Sequence, residues 1–244
     1  MQIGAWQFKP RLLPSLATLL FFPLLLSLGF WQLDRAEQKH ARFAESMRYQ
    51  NLPPMLLNRE PAERLQRPDM LWRPVRMKGE LDSKHILLLD NQVHKGEAGY
   101  YVFEPFHVAG SDSLVLVNRG WIAAGENRQK LPAVSSPDGE VTLTGMVKHV
   151  PSTGIFLGDN AIEKAGINTY RLQRIHIDEV EQLLGRKLPA WIVRLQPDSD
   201  HGFTREWPQE GSGEARHLGY AFQWFALALT LLVIYIVVNC KKTG

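Results

Sequence analysis

Two long apolar runs, one towards each end of a 244-residue chain, constrain this sequence more than any other feature. Residues 12–33 are interrupted only by the polar Ser15, Thr18, Ser27 and Gln32. Residues 218–238 hold Gln223 and Thr230 as their only clearly polar members. With a rise of about 1.5 Å per residue, either run as a helix spans a hydrocarbon layer roughly 30 Å thick. Nearly all the charge lies between them. The pattern predicts a membrane protein with transmembrane helices over 12–33 and 217–238, a soluble domain over 34–216, and short tails over 1–11 and 239–244.

A cleaved signal peptide is the alternative for the first run, with Lys9 and Arg11 ahead of it. The run is longer than a signal core, however. Gly29-Phe30-Trp31-Gln32-Leu33 is also bulky where a peptidase needs small side chains. Flanking cations set the orientation. Lys9 and Arg11 precede the first run, and Lys241 and Lys242 close the second. Both termini are therefore expected in the cytoplasm, although Arg35, Lys39 and Arg42 reduce the contrast. The middle domain is expected outside: in a bacterial periplasm or a mitochondrial intermembrane space. With no Arg- and Ser-rich presequence before the first run, a multi-pass protein of a bacterial inner membrane is the expected setting.

Cys240 is the single cysteine and sits beyond the second run, so the central domain has no disulfide and no thiolate metal site. The net charge of +3 is dispersed rather than striped, which gives nucleic-acid binding no support. Membrane lipid is the partner the two runs imply.

Between the runs, residues 34–49 mix charges with Ala36, Phe43, Ala44 and Met47, and predict a helix emerging from the membrane. Pro23 predicts a kink within the first span. Residues 53–68 predict a loop with a helical turn near 61–65. Strands are expected over 72–81, 85–93, 99–108, 114–122, 140–150, 168–175 and 190–195. The third and fourth are expected to form a hairpin across the turn at 109–112. In the sixth intervening segment, Asp178 and Glu181 have the spacing of a capping box, with Gly185 as the stop. Residues 198–213 predict a loose polar return to the second run. Short strands with minor helices imply a mixed α+β, β-barrel-like domain.

Three clusters bear on function. His217, Tyr220 and Trp224 fall at i, i+3 and i+7, so a helix puts them on one face. A neutral imidazole there can ligate a haem iron between flanking aromatics. It can equally be an interfacial residue of an aromatic belt. Trp31, Gln32 and Arg35 form the matching end of the first run, where the simple reading is anchoring. Asn118-Arg119-Gly120-Trp121 ends a buried run. Arg119 and Trp121 there are either a partner-recognition surface or a structural corner in which Arg119 pairs with a buried carboxylate and Gly120 takes an unusual backbone angle. Asp82, Asp90 and Glu104 stand singly and are expected to be solvated. The eight histidines show no metal-binding spacing, and nucleophile-elbow and phosphate-loop motifs are absent, so an enzyme is not expected.

Taken together, Gly29-Phe-Trp31-Gln32-Leu-Asp-Arg35, Leu114-Val-Leu-Val-Asn-Arg119-Gly-Trp121-Ile and His217-Leu-Gly-Tyr220-Ala-Phe-Gln-Trp224-Phe resemble, in order, three signatures of the Surfeit locus protein family. The resemblance covers nearly the whole chain and matches the bacterial type. It implies an assembly factor for a haem-copper terminal oxidase that assists insertion of haem a into the catalytic subunit. It also implies His217 as a haem-iron ligand; with that, Tyr220, Trp224 and Trp31 at the span ends are expected around the porphyrin, and Arg119, Trp121 and Arg35 are expected towards partners. The partners implied are the oxidase catalytic subunit and, as a second candidate, a haem a synthase. Gly219 departs from the family's bulkier residue and is expected to loosen the helix start or admit a ligand. A scaffold that never holds haem, and a membrane-tethered exported enzyme, stand beside this reading.

Overall fold

The structure is a computed structural model that describes residues 2–3, 6–125, 130–151, 162–207 and 213–242. In chain order its elements are β1 (Gln2–Ile3), β2 (Trp6–Phe8), α1 (Leu12–Gln50), β3 (Met55–Leu56), α2 (Ala62–Leu65), β4 (Pro74–Leu81), β5 (Ile86–His94) and β6 (Glu97–Val108). There follow β7 (Leu114–Ala123), β8 (Val141–His149), β9 (Ile162–Lys164), β10 (Thr169–Leu172), α3 (Ile177–Leu184), β11 (Trp191–Leu195), α4 (Glu214–Asn239) and β12 (Cys240–Lys242). They form two compact units, Met1–Glu45 with Pro208–Gly244, and Ser46–Trp207.

The first unit is a helix pair. Both helices are long and apolar enough to cross a membrane, by length and composition. The first apolar run and the polar segment after it form one helix, with Pro23 inside it. Arg11 meets Asn239, Ser15 meets Tyr235, Gln32 meets His217 and His40 meets Glu214, so α1 and α4 are antiparallel. Shielded positions on α1 include 15, 18, 22, 25, 29, 32 and 36. On α4 they include 214, 217, 221, 224, 228, 231 and 235. Steps of three and four residues are the 3.5-residue repeat of a coiled-coil seam. Small residues let the backbones approach: Ala36, Ala221 and Ala228 are buried, and a Cβ added to Gly29 would lie 2.6 Å from the Phe225 ring. Leu19, Leu20, Phe222 and Ile234 remain exposed on the outer faces.

At the far end of the pair, β1, β2 and β12 form a small antiparallel sheet that the sequence did not suggest. Asn239 is buried beside it. Its side-chain oxygen accepts the Arg11 N–H at the start of α1 (2.7 Å), and its carbonyl accepts from the Lys9 N–H (2.8 Å). An orphan donor of the helix N-terminus is thereby satisfied.

The second unit is built on a nine-stranded mixed sheet ordered β3-β4-β8-β11-β7-β6-β5-β10-β9. In addition β4 pairs with β6, so the pairings through β4, β8, β11, β7 and β6 return to β4. The expected strands are all present, extended by β3 and β9. In β4, Val75, Met77 and Leu81 point inward, while Arg76, Lys78 and Glu80 point out. This is the alternation of a half-buried strand. Strand β6 changes partner at Pro105: Leu87–Leu89 of β5 pair with 101–103, and Gly79–Leu81 of β4 pair with 106–108. A residue without an N–H suits such a handover, and its carbonyl still accepts from Asp82 (2.8 Å). Helix α3 buries Val180 against Leu87, Leu89, Phe103 and Ile192.

Three expectations are corrected here. Helix α3 begins one residue before Asp178, with His176 at the cap position and no side-chain cap. Glu181 instead accepts from the Leu188 N–H (2.8 Å) and Lys187 (2.6 Å) beyond the other end, where Gly185 does close the helix with φ 64°. The described part of the return segment, residues 198–207, is pinned: Thr204 pairs with Trp121, and the Trp207 indole donates to Leu195 O (2.8 Å). Residues 208–212 lie outside the described residues. The carboxylates are not free in solvent either. Glu104 is completely buried, Asp90 nearly so, and Asp82 holds His85 at 2.8 Å.

Candidate functional site

The candidate site lies at the Gln32–His217 end of the helix pair. Gln32 occupies a seam position of α1 and is only 8% exposed. A buried amide in an apolar seam needs a partner. It has one: Gln32 Oε1 lies 2.7 Å from His217 Nδ1. An amide oxygen can only accept, so His217 donates through Nδ1–H. In the neutral ring this leaves the lone pair on Nε2.

Helical geometry decides which residues share a flank of the pair with His217. At about 100° per residue, Arg35 and Trp31 lie roughly 60° and 100° to one side of Gln32. Counted from His217, Trp224 and Tyr220 lie about 20° and 60° in the same rotational sense. Because the helices run in opposite directions, these rotations turn towards one flank of the pair. The opposite flank is marked by Phe30 and Phe225, whose rings meet edge to face at 5.3 Å. One flank therefore carries Trp31 and Arg35 from α1 with Tyr220 and Trp224 from α4. Trp31 and Tyr220 are each about half exposed (49% and 46%). Arg35 stacks over Trp31 with its guanidinium 5.8 Å from the ring centroid, and donates to Gln38 (2.9 Å). The arrangement can present one imidazole nitrogen, aromatic faces and a cation to a flat, amphiphilic, anionic ligand.

Gly219 does not loosen the helix start. Helix α4 begins five residues earlier, at Glu214, and runs through it unbroken. A Cβ at Gly219 would meet nothing within 4 Å. Being about 200° from His217, it faces away from the aromatic flank.

Arg119 and Trp121 belong to the second unit. The β6–β7 register slips between Val102 and Phe103: Val102 faces Gly120 and Phe103 faces Asn118. Arg119 is thus the extra residue of a β-bulge, which re-aims its side chain. The guanidinium turns inward, 3% exposed, and pairs with Glu104. It also donates to His201 O (2.8 Å) and lies 4.8 Å from the Phe203 ring centroid. Ser136 donates to the same carboxylate. Burial pushes the Glu104 carboxyl above its ordinary range, against the pull of Arg119 and Ser136. Gly120 has φ 119°, which L side chains rarely adopt. Trp121 is 7% exposed and donates to Gln92 O (2.9 Å). This is the geometry of a structural corner.

Trp31, Arg35, Tyr220, Trp224 and His217 are thus brought to one end of one helix pair, while Arg119 and Trp121 are built into the sheet domain. Two further residues matter to these sites. Gln32 follows Trp31 in sequence, but only the register of the seam reveals its partner. Glu104 stands amid Phe103, Pro105 and Phe106, an apolar setting that signals burial.

Comparison with known proteins agrees with the whole-chain extent of the resemblance. The family model described as "SURF1 family" matches residues 19–229. A "SURF1-like protein" of Rickettsia felis is 29% identical over 230 residues, covering 91% of this chain and 95% of that protein. One from Rickettsia bellii is 30% identical over 228 residues, covering 91% and 88%. "Surfeit locus protein 1" of Rattus norvegicus is 27% identical over 162 residues, covering 60% and 52%. With its three signature segments within the matched region, the chain belongs to the SURF1 family.

Proposed function

We propose that this protein is an assembly factor for a haem-copper terminal oxidase, and that it holds haem a for insertion into the catalytic subunit. Helices α1 and α4 cross a bacterial inner membrane, with both termini cytoplasmic and the sheet domain periplasmic. In support, Lys9, Arg11, Lys241 and Lys242 gather at the end where β2 pairs with β12. The single observation that carries the haem reading is the His217–Gln32 hydrogen bond, which engages Nδ1 and leaves Nε2 outside that bond, on a helix whose same face carries Tyr220 and Trp224.

The residues fit the group. Haem iron would take the neutral imidazole nitrogen of His217, and the porphyrin would bring its own set of nitrogen ligands to the iron. That matters because no cluster of three or more His, Cys, Asp or Glu able to hold a bare metal occurs among the described residues. Aromatic faces suit the ring, and Arg35 suits a carboxylate. When bound, the haem supplies the iron to be delivered; the chain holds and orients it without a bond-making step. The test is purification from cells that make haem a. Wild type is expected to carry a haem spectrum and His217→Ala to lose most of it. Equal haem content in the two refutes the ligand role.

A second reading has a specific observation behind it. The same His217–Gln32 bond also locks two helices together, as a haem-free scaffold would need. There the oxidase subunit docks on the sheet domain, near the 201–205 segment backed by Arg119 and Trp121. Normal oxidase assembly in His217→Ala, with loss in a variant of the exposed His201 side chain, His201→Ala, that keeps the melting temperature, would favour it.

A further inference from the structure

We infer that Gln32 is the positioning residue for the His217 imidazole: it fixes the proton on Nδ1 and so dictates that Nε2 is the nitrogen open to a metal. This rests on the haem-holding reading above and adds to it a residue from the other helix.

Gln32 is costly where it stands. Its neighbours along the seam are Gly29 three residues before it, Ala36 four after it and Leu25 seven before it, and an apolar side chain would pack there without a desolvation cost. Its amide oxygen meets the imidazole at 2.7 Å. With the amide oxygen facing the ring, as it stands, the alternative tautomer would set a nitrogen lone pair against an oxygen lone pair at that distance, and it would be served only if the amide turned to present its NH2. One ring nitrogen is thus committed by the seam, and the ring plane is held by a residue 185 positions away. Metal-bound histidines are generally held this way, by an acceptor on the non-ligating nitrogen, and removing that acceptor weakens metal binding 10- to 100-fold.

The bond also couples the two spans. Any shift of α1 against α4 along the seam breaks the Gln32–His217 contact and frees the ring. The bond therefore makes the imidazole's direction depend on the close packing of the seam at Gly29, Ala36 and Ala221.

The experiment uses the full chain in detergent micelles with 15N-labelled histidine. Long-range 1H–15N correlation reads the protonated nitrogen of His217, whose signals are assigned by their loss in His217→Ala. Wild type is expected to show Nδ1–H. Gln32→Leu is expected to lose that preference, and Gln32→Glu, which keeps an acceptor, to retain a protonated Nδ1. An Nε2–H ring in wild type, or an unchanged Nδ1–H ring in Gln32→Leu, overturns the inference. Folding of Gln32→Leu is checked by cross-linking Ser15→Cys to Tyr235→Cys with a short bismaleimide in a Cys240→Ser background, a site where the native side chains lie 3.0 Å apart. If the cross-link is lost, the spectrum of Gln32→Asn, which keeps the amide but shortens its reach, takes its place with the same expected loss.

Binding is read separately with ferric protoporphyrin IX and with the iron-free porphyrin. Gln32→Leu is expected to weaken the iron form about 10- to 100-fold and leave the iron-free form unchanged. Equal weakening of both means that Gln32 acts only on the shape of the flank and overturns the positioning role. Failure of wild type to bind either porphyrin counts against the haem reading alone, because the tautomer measurement needs no ligand.

Discussion

Replacing Glu104 with alanine leaves the Arg119 guanidinium inside the sheet domain, without its carboxylate. Both side chains are almost inaccessible, at 0% and 3% exposure. Among the described residues, what the structure gives Arg119 besides Glu104 is the carbonyl His201 O at 2.8 Å and the Phe203 ring. Removing one member of a buried ion pair costs about 3–5 kcal/mol, because the surviving charge stays desolvated. At about 2–4 °C per kcal/mol for a domain of this size, the melting temperature should fall by roughly 6–20 °C. An exposed pair gives the contrast: Lys78–Glu140, at 2.9 Å with both partners in solvent, should contribute no more than about 1 kcal/mol. The assay is thermal and urea unfolding of the full chain in micelles, followed by near-UV circular dichroism. A Glu104→Ala loss no larger than that of Glu140→Ala refutes the buried-pair account. The double variant Glu104→Leu with Arg119→Met should recover much of the loss, since an apolar pair of similar volume pays no desolvation. The pH dependence has a definite sign. Burial raises the Glu104 carboxyl in the folded state above its unfolded value near 4.5. Its stabilising contribution is then whole below the unfolded value and is lost as pH rises through the folded one. The stability difference between wild type and Glu104→Gln should accordingly shrink as pH rises across that window.

Gly120→Ala should destabilise the sheet domain by about 1–3 kcal/mol from backbone strain alone, read as a lower urea midpoint. The added methyl would also lie 2.7 Å from Thr204 O, at a φ of 119°; an unchanged midpoint would mean that the bulge is not as described. Gly29→Leu should separate α1 from α4, because the side chain must enter the space held by the Phe225 ring at 2.6 Å. An overpacking cost of about 1–3 kcal/mol is expected. The measurement is a reduced yield of the Ser15→Cys/Tyr235→Cys cross-link, and a yield equal to wild type would sink it.

Local chemistry made much of this protein legible from sequence. Apolar runs of sufficient length predict helices whatever else the chain does, because backbone groups in an apolar setting must bond within their own segment. Alternation at Val75, Met77 and Leu81 marks β4, and left-handed Gly185 marks the end of α3, because both depend on neighbours in sequence. His217, Tyr220 and Trp224 could be placed on one face from their spacing alone. Long-range pairing could not be read this way. Whether Glu104 is solvated depends on Arg119 and Ser136, brought to it by a bulge in β7 and by the loop before β8. Which nitrogen of His217 is free depends on Gln32, which only the 3.5-residue seam of α1 against α4 sets opposite it. Periodicity says which face of a segment is apolar. Register against a distant segment then decides which polar atom meets which, because hydrogen bonds and buried charges are sensitive to displacements far smaller than one turn of helix.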